Sequence, residues 1–346
     1  MTNSIRIFRV AGIPVELDFS FLLLMLFIYI LAYLGFVSLQ LAILITLVFV
    51  TVVIHELAHS YVAMGFGVKI NSILLLPIGG VSRMEEIPRV PREEFLISIA
   101  GPLTNILIAM LVSVPILLDV TGPLTGLAGE FLAVNLLLAL FNLIPAFPMD
   151  GGRILRAILA ERMGHMRATE IAASLGKIIA VFMAVLGVFY NFFLILIGLF
   201  IYIGAEQEYQ ATLISSLLEG VTVADVMTRD PVTMDPDITV DEALEFVMSK
   251  KHMGYPVVEG DEMIGIVTFH DLSDAERTRN VREVMTEDVV TVNEDDELIS
   301  ALEKLNSMNL GRLPVMGDGR LRGIISRTDI LRTLNLLRNK KMKREN

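Results

Sequence analysis

The sequence predicts a polytopic α-helical membrane protein with about six transmembrane helices, followed by a cytoplasmic α/β domain built as a tandem repeat. Hydrophobic residues make up 54% of the 346-residue chain and the mean hydropathy is +0.64, which is too apolar for a soluble domain of this size. The apolar residues concentrate between about residues 19 and 202, whereas charged and apolar residues alternate after about residue 219. This second part contains an internal repeat, which predicts two copies of one structural unit.

Six apolar segments are candidate membrane spans, because a helix needs roughly 20 apolar residues to cross the hydrocarbon core. They cover about residues 19–36, 39–66, 95–118, 128–147, 171–189 and 191–207. Asn142, Pro145 and Pro148 interrupt the end of the fourth segment. No small-residue cleavage site follows the first segment, so we expect this helix to be retained.

The basic residues predict the orientation of these spans. They precede span one or lie between spans two and three and between spans four and five, whereas the loops at 35–40 and 119–127 and the turn near 190 contain no Lys or Arg. The positive-inside rule therefore predicts a multi-pass protein of the cell membrane with both termini in the cytoplasm. The residues concerned are Arg6, Arg9, Lys69, Arg83, Arg89, Arg92, Arg153, Arg156, Arg162 and Arg167.

Composition limits the chemistry that the chain can perform. Cysteine is absent, so a metal site must be built from His, Asp or Glu. The formal net charge is −11 and comes mainly from the soluble part, which argues against nucleic acid as a partner.

A metal-binding pattern, H-E-x-x-H, lies inside the second span at His55-Glu56-Leu57-Ala58-His59. Residues four apart share one face of a helix, so both imidazoles can reach one ion, and zinc accepts such ligands. Glu56 points aside from this pair and is the candidate catalytic base that activates water. Ionisable groups inside a span are costly and usually functional or paired. The alternative is a polar trio that satisfies other buried groups. The remaining histidines, His165, His252 and His270, lie in predicted cytoplasmic regions, where we expect them at the surface.

A third ligand is needed, since a catalytic zinc usually has three protein ligands and one open position. Asp150 is the best candidate, because the broken end of span four lets the chain turn back toward the metal and Gly151-Gly152 allow close approach. The alternative is an acidic surface residue in a loop that leaves the membrane.

These motifs together resemble the site-2 protease family of intramembrane metalloproteases over about residues 5–210, within a predicted transmembrane metalloprotease domain of residues 1–210. The resemblance rests on the H-E-x-x-H pattern, on Asn142, Pro145, Pro148 and Asp150-Gly151, and on Gly101-Pro102-Leu103-Thr104-Asn105 at the start of span three. It implies one Zn²⁺ per chain on His55, His59 and Asp150, with Glu56 activating water. It also implies that Asn142 positions the substrate or polarises its carbonyl, and that the substrate is a membrane-anchored protein. Gly101 and Asn105 could instead serve helix packing.

The segment from Ile70 to Val81 is apolar, too short to span and broken by Pro77-Ile78-Gly79-Gly80. It predicts a re-entrant hairpin that offers a strand edge to an unwound substrate helix. The alternative is a plain loop at the membrane interface.

The repeat in the soluble part has a constant offset of 58 residues, from residue 223 to 281 and from 271 to 329. In each copy, the pattern of apolar residues predicts an extended segment, a helix, two short strands and a further helix. The first of these helices covers residues 241–251 in one copy and 299–309 in the other. The two copies, 221–275 and 281–336, resemble a pair of CBS motifs. This resemblance implies a regulatory unit that binds ATP or AMP, and it leaves a homodimer through the pair open. The matching residues are Thr268, Asp271, Ser326, Thr328 and Asp329. The alternative for Asp271 and Asp329 is that they cap the helices that follow.

The leading hypothesis is therefore an intramembrane zinc endopeptidase with a cytoplasmic, nucleotide-sensing control unit. The alternative is a transporter or channel regulated by the same unit, in which buried His and Asp bind a transported ion. Glu56 distinguishes them, because only hydrolysis requires the complete H-E-x-x-H pattern.

Overall fold

The computed structural model describes residues 4–84, 90–250 and 254–345 and divides into two compact units, 1–212 and 213–346. The division falls inside the helix Phe192–Leu218. Two residues considered above, Arg89 and His252, lie outside the described residues.

The first unit contains seven helices among the described residues. Five of them are long and apolar enough to cross a membrane: α2, α3, α4 with the 3₁₀ turn Gly122–Leu124 before it, α6 and α7. The remaining two are shorter, and α1 has 15 residues, which is roughly 22 Å of helix against a hydrocarbon core of about 30 Å. The helices are α1 (Phe19–Tyr33), α2 (Leu39–Gly65), α3 (Pro91–Leu117), α4 (Thr125–Asn142), α5 (Asp150–Met163), α6 (His165–Phe189) and α7 (Phe192–Leu218).

Small side chains let these helices approach closely. α3 packs against α2, α4 and α5, and α5 packs against α6. Alanines are buried at many of these contacts, and such small side chains let helix backbones come close together. The long apolar side chains point outward instead, as Leu107, Met110, Leu111 and Val114 do on α3.

A four-stranded sheet accompanies the helices, in the order β1 (Ser4–Val10), β2 (Ile13–Asp18), β3 (Ile70–Leu76) and β4 (Gly79–Met84). The predicted hairpin is present as the antiparallel pair β3–β4, and β3 pairs with β2 in parallel. The sequence interpretation missed β1 and β2, because it treated the residues before the first span only as a charged flank. β4 is an edge strand of this sheet.

The second unit contains the two repeats. The first has α8 (Val240–Lys250), β6 (Gly254–Glu259), β7 (Glu262–Thr268) and α9 (Phe269–Ser273), and the second has α10 (Leu298–Ser307), β9 (Arg312–Gly317), β10 (Arg320–Ser326) and α11 (Arg327–Glu345). The predicted order of helix, two strands and helix is confirmed in both copies. Two short strands, β5 (Thr228–Arg229) and β8 (Val292–Asn293), complete the unit.

In each repeat, the segment before the first helix, here called the leading segment, pairs with a strand of the other repeat. Thr228 in β5 pairs with Ile324 in β10, and its counterpart Thr286 forms a bridge with Ile266 in β7. Val223 and Met227 likewise belong to the core that Leu298, Leu305 and Leu313 of the second repeat form. Neither repeat therefore completes its core alone, and the pair is one folding unit.

Candidate metal centre

The two histidines of the H-E-x-x-H pattern face the same side of α2. His55 and His59 are each 7% exposed, and their Nε2 atoms lie 3.0 Å apart. One helical turn separates them, so the spacing alone brings the imidazoles together. Glu56 is half-buried and lies outside the group of residues that could share an ion.

Asp150 meets these histidines from another part of the chain. α4 ends at Asn142, the loop passes through the buried residues Ala146 and Phe147, and α5 begins with Asp150. A carboxylate is favourable in the first turn of a helix. The Asp150 Oδ2 atom lies 3.2 Å from Nε2 of His55 and 3.3 Å from Nε2 of His59.

Two glycines allow the return of the chain that the sequence suggested. A Cβ atom at Gly151 would lie 2.2 Å from the carbonyl oxygen of Ile144, and one at Gly152 would lie 2.6 Å from the backbone nitrogen of Phe147. The start of α5 therefore packs directly on the loop backbone, which sets the position of Asp150.

α3 orients both imidazole rings through their Nδ1 atoms. Nδ1 of His59 lies 2.7 Å from the carbonyl oxygen of Ile97, and Nδ1 of His55 lies 3.2 Å from Oδ1 of Asn105. A carbonyl oxygen only accepts a hydrogen bond, so Nδ1 carries the proton in each neutral ring. Nε2 then presents a lone pair, which is the arrangement that metal-bound histidines show.

The donor set fits a zinc ion. Two unprotonated nitrogens and a carboxylate oxygen face each other at 3.0–3.3 Å, and the buried Oδ2 of Asp150 receives no hydrogen bond within the described part of the chain. Three lone pairs at these distances repel unless a cation lies among them. Ligands at ~2.0–2.1 Å from a tetrahedral zinc are themselves about 3.3 Å apart. His55, His59 and Asp150 are thus able to hold the metal.

Gly101 on α3 keeps this space open. A Cβ atom at this position would lie 2.3 Å from Nε2 of His59 and 2.5 Å from Nε2 of His55. Any larger residue would fill the volume onto which the lone pairs converge. The sequence left the role of Gly101 open between packing and the site, and the distances favour the site.

A buried ion cluster fixes the helix that carries Asp150. Arg156 on α5 is 4% exposed and donates to Glu94 on α3 and to Glu208 on α7, both at 2.7 Å. Its guanidinium lies 4.9 Å from the ring centroid of Phe147. The sequence interpretation treated Arg156 only as a loop charge, because its two partners are far away along the chain.

Two of the remaining histidines can be compared with the expectation that they lie at the surface. His270 has a side chain that is 84% exposed, as expected. His165 departs from it: its side chain is 26% exposed and its Nδ1 lies 3.9 Å from the buried Glu94 carboxylate. The cause is that α6 begins at His165 rather than near residue 171, which brings this residue onto a packed helix.

Asn142 is half-buried at the last position of α4, ahead of the loop that leads to Asp150. Its role in catalysis stays a prediction.

The predicted nucleotide residues form two matching caps. The backbone N–H and hydroxyl of Thr268 donate to Asp271 at 2.8 and 2.7 Å, and those of Ser326 donate to Asp329 at 3.1 and 2.6 Å. Thr328 is exposed. The role of Asp271 and Asp329 in capping a helix thus occupies the Oδ2 atom of each carboxylate. Nucleotide binding stays a prediction.

Two imidazoles from the long apolar helix α2 and a carboxylate from the start of α5, with a glutamate beside the histidines, form the donor set of a metal-dependent hydrolase. Residues 42–129 and 121–186 match Peptidase family M50, and residues 223–277 and 281–336 match the CBS domain. The chain is 43% identical over 339 residues to the zinc metalloprotease MJ0392 of Methanocaldococcus jannaschii, covering 97% of this chain and 98% of that protein. It is 46% identical to a solved site-2 protease from the same organism, covering 60% of this chain and 95% of that one at a TM-score of 0.45.

The chain therefore belongs to peptidase family M50, the site-2 protease family of zinc metalloproteases, and carries a CBS domain pair. Members of this family are membrane proteins, and they act on protein substrates.

Proposed function

We propose that this protein is an intramembrane zinc endopeptidase that cleaves transmembrane segments of membrane-anchored proteins. The observation that carries the proposal is the convergence of three possible ligand atoms: Nε2 of His55 and of His59 on the apolar helix α2, and Oδ2 of Asp150 at the start of α5. Glu56 lies beside the two histidines on α2. A hydrolytic site in that setting acts on peptide bonds that lie within the membrane.

Each residue has a distinct part in the proposed reaction. His55, His59 and Asp150 hold the zinc, while Asn105 and the Ile97 carbonyl orient the two imidazoles. When bound, zinc supplies the Lewis acidity that lowers the pKa of water and polarises a carbonyl group. Glu56 takes a proton from the attacking water and returns it to the leaving nitrogen. Asn142 donates through its side-chain amide to the substrate backbone.

The substrate must present an extended segment, because a helix satisfies all its own backbone groups. Among the described residues β4 is an edge strand, and the outer edge of such a strand can pair with an extended segment through backbone hydrogen bonds. β4 also lies against Glu56, since a Cβ atom at Gly80 would be 2.8 Å from its Cγ. We therefore propose that the cleaved segment adds to the sheet as a fifth strand.

The proposed topology has six crossings, with α1 as the first. α1 runs beside α2, where the Phe21 and Phe49 rings are 4.7 Å apart and the Tyr29 and Thr46 hydroxyls are 2.8 Å apart. Most of its exposed residues, such as Leu26 and Phe27, are apolar. Because the chain lacks cysteine, single cysteines can test this topology. Cysteines replacing Phe36, Val120 and Tyr190 should react with an impermeant maleimide from outside intact cells, and labelling only after permeabilisation would contradict it.

The CBS pair is proposed to bind ATP or AMP and thereby modulate cleavage. The resemblance to nucleotide-binding CBS motifs and the two equivalent Thr/Ser–Asp positions support this role. A homodimer through the pair would be a second way to control the enzyme, and sedimentation of the detergent-solubilised protein that shows only monomers would remove it.

The decisive experiment replaces Glu56 by Gln in the full chain. The probe is a fluorescent reporter fused to one apolar helix of about 20 residues with a central Asn-Pro pair, reconstituted with the enzyme in phospholipid vesicles. We expect Glu56→Gln to keep one zinc per chain and to lose at least about a thousandfold in cleavage, since it removes the general base. Undiminished cleavage by this variant would overturn the proposed function.

The transporter hypothesis is weaker. It gives no role to Glu56, and the family to which the chain belongs consists of zinc metalloproteases. Zinc-dependent uptake into vesicles by the Glu56→Gln variant would revive it.

A further inference from the structure

The carboxylate of Glu56 is held from the sheet side by a serine that no motif indicated. The Ser82 hydroxyl on β4 donates to Oε2 of Glu56 at 3.0 Å. It also lies 3.5 Å from the Glu56 backbone carbonyl oxygen, a contact too long to compete with the first. An ionised carboxylate only accepts hydrogen bonds, so the Ser82 proton points at Glu56.

A second serine fixes the direction of this hydrogen bond. Ser60 on α2 is fully buried, and its hydroxyl oxygen lies 3.0 Å from that of Ser82. Ser82 has a single hydroxyl proton, which is used toward Glu56, so Ser60 must donate to Ser82. The result is a chain of donors from Ser60 to Ser82 to Glu56.

The surroundings leave Glu56 little room to move. Gly80 packs on its side chain so closely that a Cβ atom there would lie 2.8 Å from Cγ of Glu56 and 3.0 Å from Cγ1 of Val52. Within the described part of the chain, Oε1 of Glu56 accepts no hydrogen bond, whereas Oε2 accepts the one from Ser82. One carboxylate oxygen is anchored and the other is left for the proton transfer.

We propose that Ser82 is a positioning residue for Glu56, with Ser60 as the donor that keeps Ser82 correctly oriented. This inference rests on the proposed function, in which Glu56 is the base. Ser82 itself touches neither water nor metal in this account. Its effect is to hold Glu56 within reach of the reacting atoms, so its loss should lower the rate of the chemical step and leave zinc and substrate binding alone.

The test compares Ser82→Ala, Ser82→Thr and Ser60→Ala in the full chain, with the reporter and vesicles described above. Ser82→Ala should lower kcat about ten- to hundredfold, because hydrogen bonds to charged groups are the stronger ones. KM and zinc content should stay at their original values. Ser82→Thr keeps the hydroxyl and should restore most of kcat, and Ser60→Ala should lower kcat by a smaller factor. Ser113→Ala, which removes a hydroxyl bonded only to the Met110 carbonyl of its own helix, is the matched control.

Several outcomes would overturn the inference. An unchanged kcat in Ser82→Ala would do so, as would a rise in KM alone, which would indicate that Ser82 serves the strand rather than the base. If Ser82→Ala loses zinc, its kcat no longer reports on the position of Glu56, and the Ser60→Ala variant is used instead. A lowered kcat in Ser60→Ala at full zinc content supports the inference. An unchanged kcat in Ser60→Ala overturns it. Glu56→Gln, measured in parallel, separates this failure from failure of the proposed function, because only the latter leaves Glu56→Gln active.

Discussion

The absence of a side chain at Gly101 determines whether a metal ion can fit between His55, His59 and Asp150. The three donor atoms come from α2 and α5, but the space between them is bounded by α3, where a side chain would meet both imidazoles. The same helix supplies Asn105 and the Ile97 carbonyl, which hold the rings. α3 contributes no candidate ligand, yet it sets both the shape of the site and the tautomer of the rings.

Gly101→Ala should therefore abolish zinc binding without unfolding the protein. Alanine is the better helix former by roughly 1 kcal/mol, so a loss of zinc cannot be ascribed to a weakened helix. Zinc per chain, measured by mass spectrometry of the purified protein, should fall from one to well below one half. Gly129→Ala on α4 is the control, because no atom lies within 4 Å of a Cβ at that position. Full zinc occupancy in Gly101→Ala would show that the metal lies elsewhere.

The same residues show what a sequence can predict. His55 and His59 were predictable because one helical turn brings them together, and Asp150 because prolines and glycines mark a chain reversal. The Ile97 carbonyl, Ser82 and the partners of Arg156 were not, because each depends on a contact between distant parts of the chain.

At the scale of the elements, α5 is held in place by charge. The sequence predicts a basic loop after span four, whereas the structure has a helix there whose first residue is Asp150. Arg156, two turns further on, is enclosed by Glu94 and Glu208 from two other helices. A buried pair adds little net stability, but the removal of one partner leaves a charge without compensation.

Arg156→Met should lower the free energy of unfolding by about 3–5 kcal/mol, because Glu94 would stay buried without its cation. Zinc content should fall as well, since Asp150 lies on the same helix. Thermal unfolding in detergent, followed by circular dichroism, measures the first effect. Arg167→Met is the control: its partner Glu170 is exposed, and such a pair contributes below about 1 kcal/mol. Equal effects of the two changes would contradict the role assigned to Arg156.

At the scale of the whole molecule, the chain combines a helical unit that contains the metal centre with a CBS pair whose repeats exchange their leading segments. The repeat offset of 58 residues predicted both copies and their elements. The pairing of β5 with β10 could not be predicted from the sequence, because a repeat pattern does not show which copy contributes to the core of the other.

The proposed nucleotide site concerns the whole CBS pair, because its predicted residues come from both repeats. We expect the full-length protein in detergent to bind AMP or ATP in titration calorimetry, and Asp271→Ala to weaken binding at least tenfold. Asp225→Ala is the matched control, because Asp225 forms the same kind of cap with Thr222 and is no predicted nucleotide residue. If both variants weaken binding equally, Asp271 acts only as a helix cap.

The proposed function requires one zinc ion held by His55 and His59 on α2 and by Asp150 at the start of α5. Anomalous diffraction from crystals of the full chain, recorded on both sides of the zinc absorption edge, tests it directly. We predict one zinc peak per chain, within ~2.0–2.2 Å of Nε2 of His55, Nε2 of His59 and a carboxylate oxygen of Asp150. A zinc peak away from these three residues, in crystals of protein that cleaves the reporter, would contradict it.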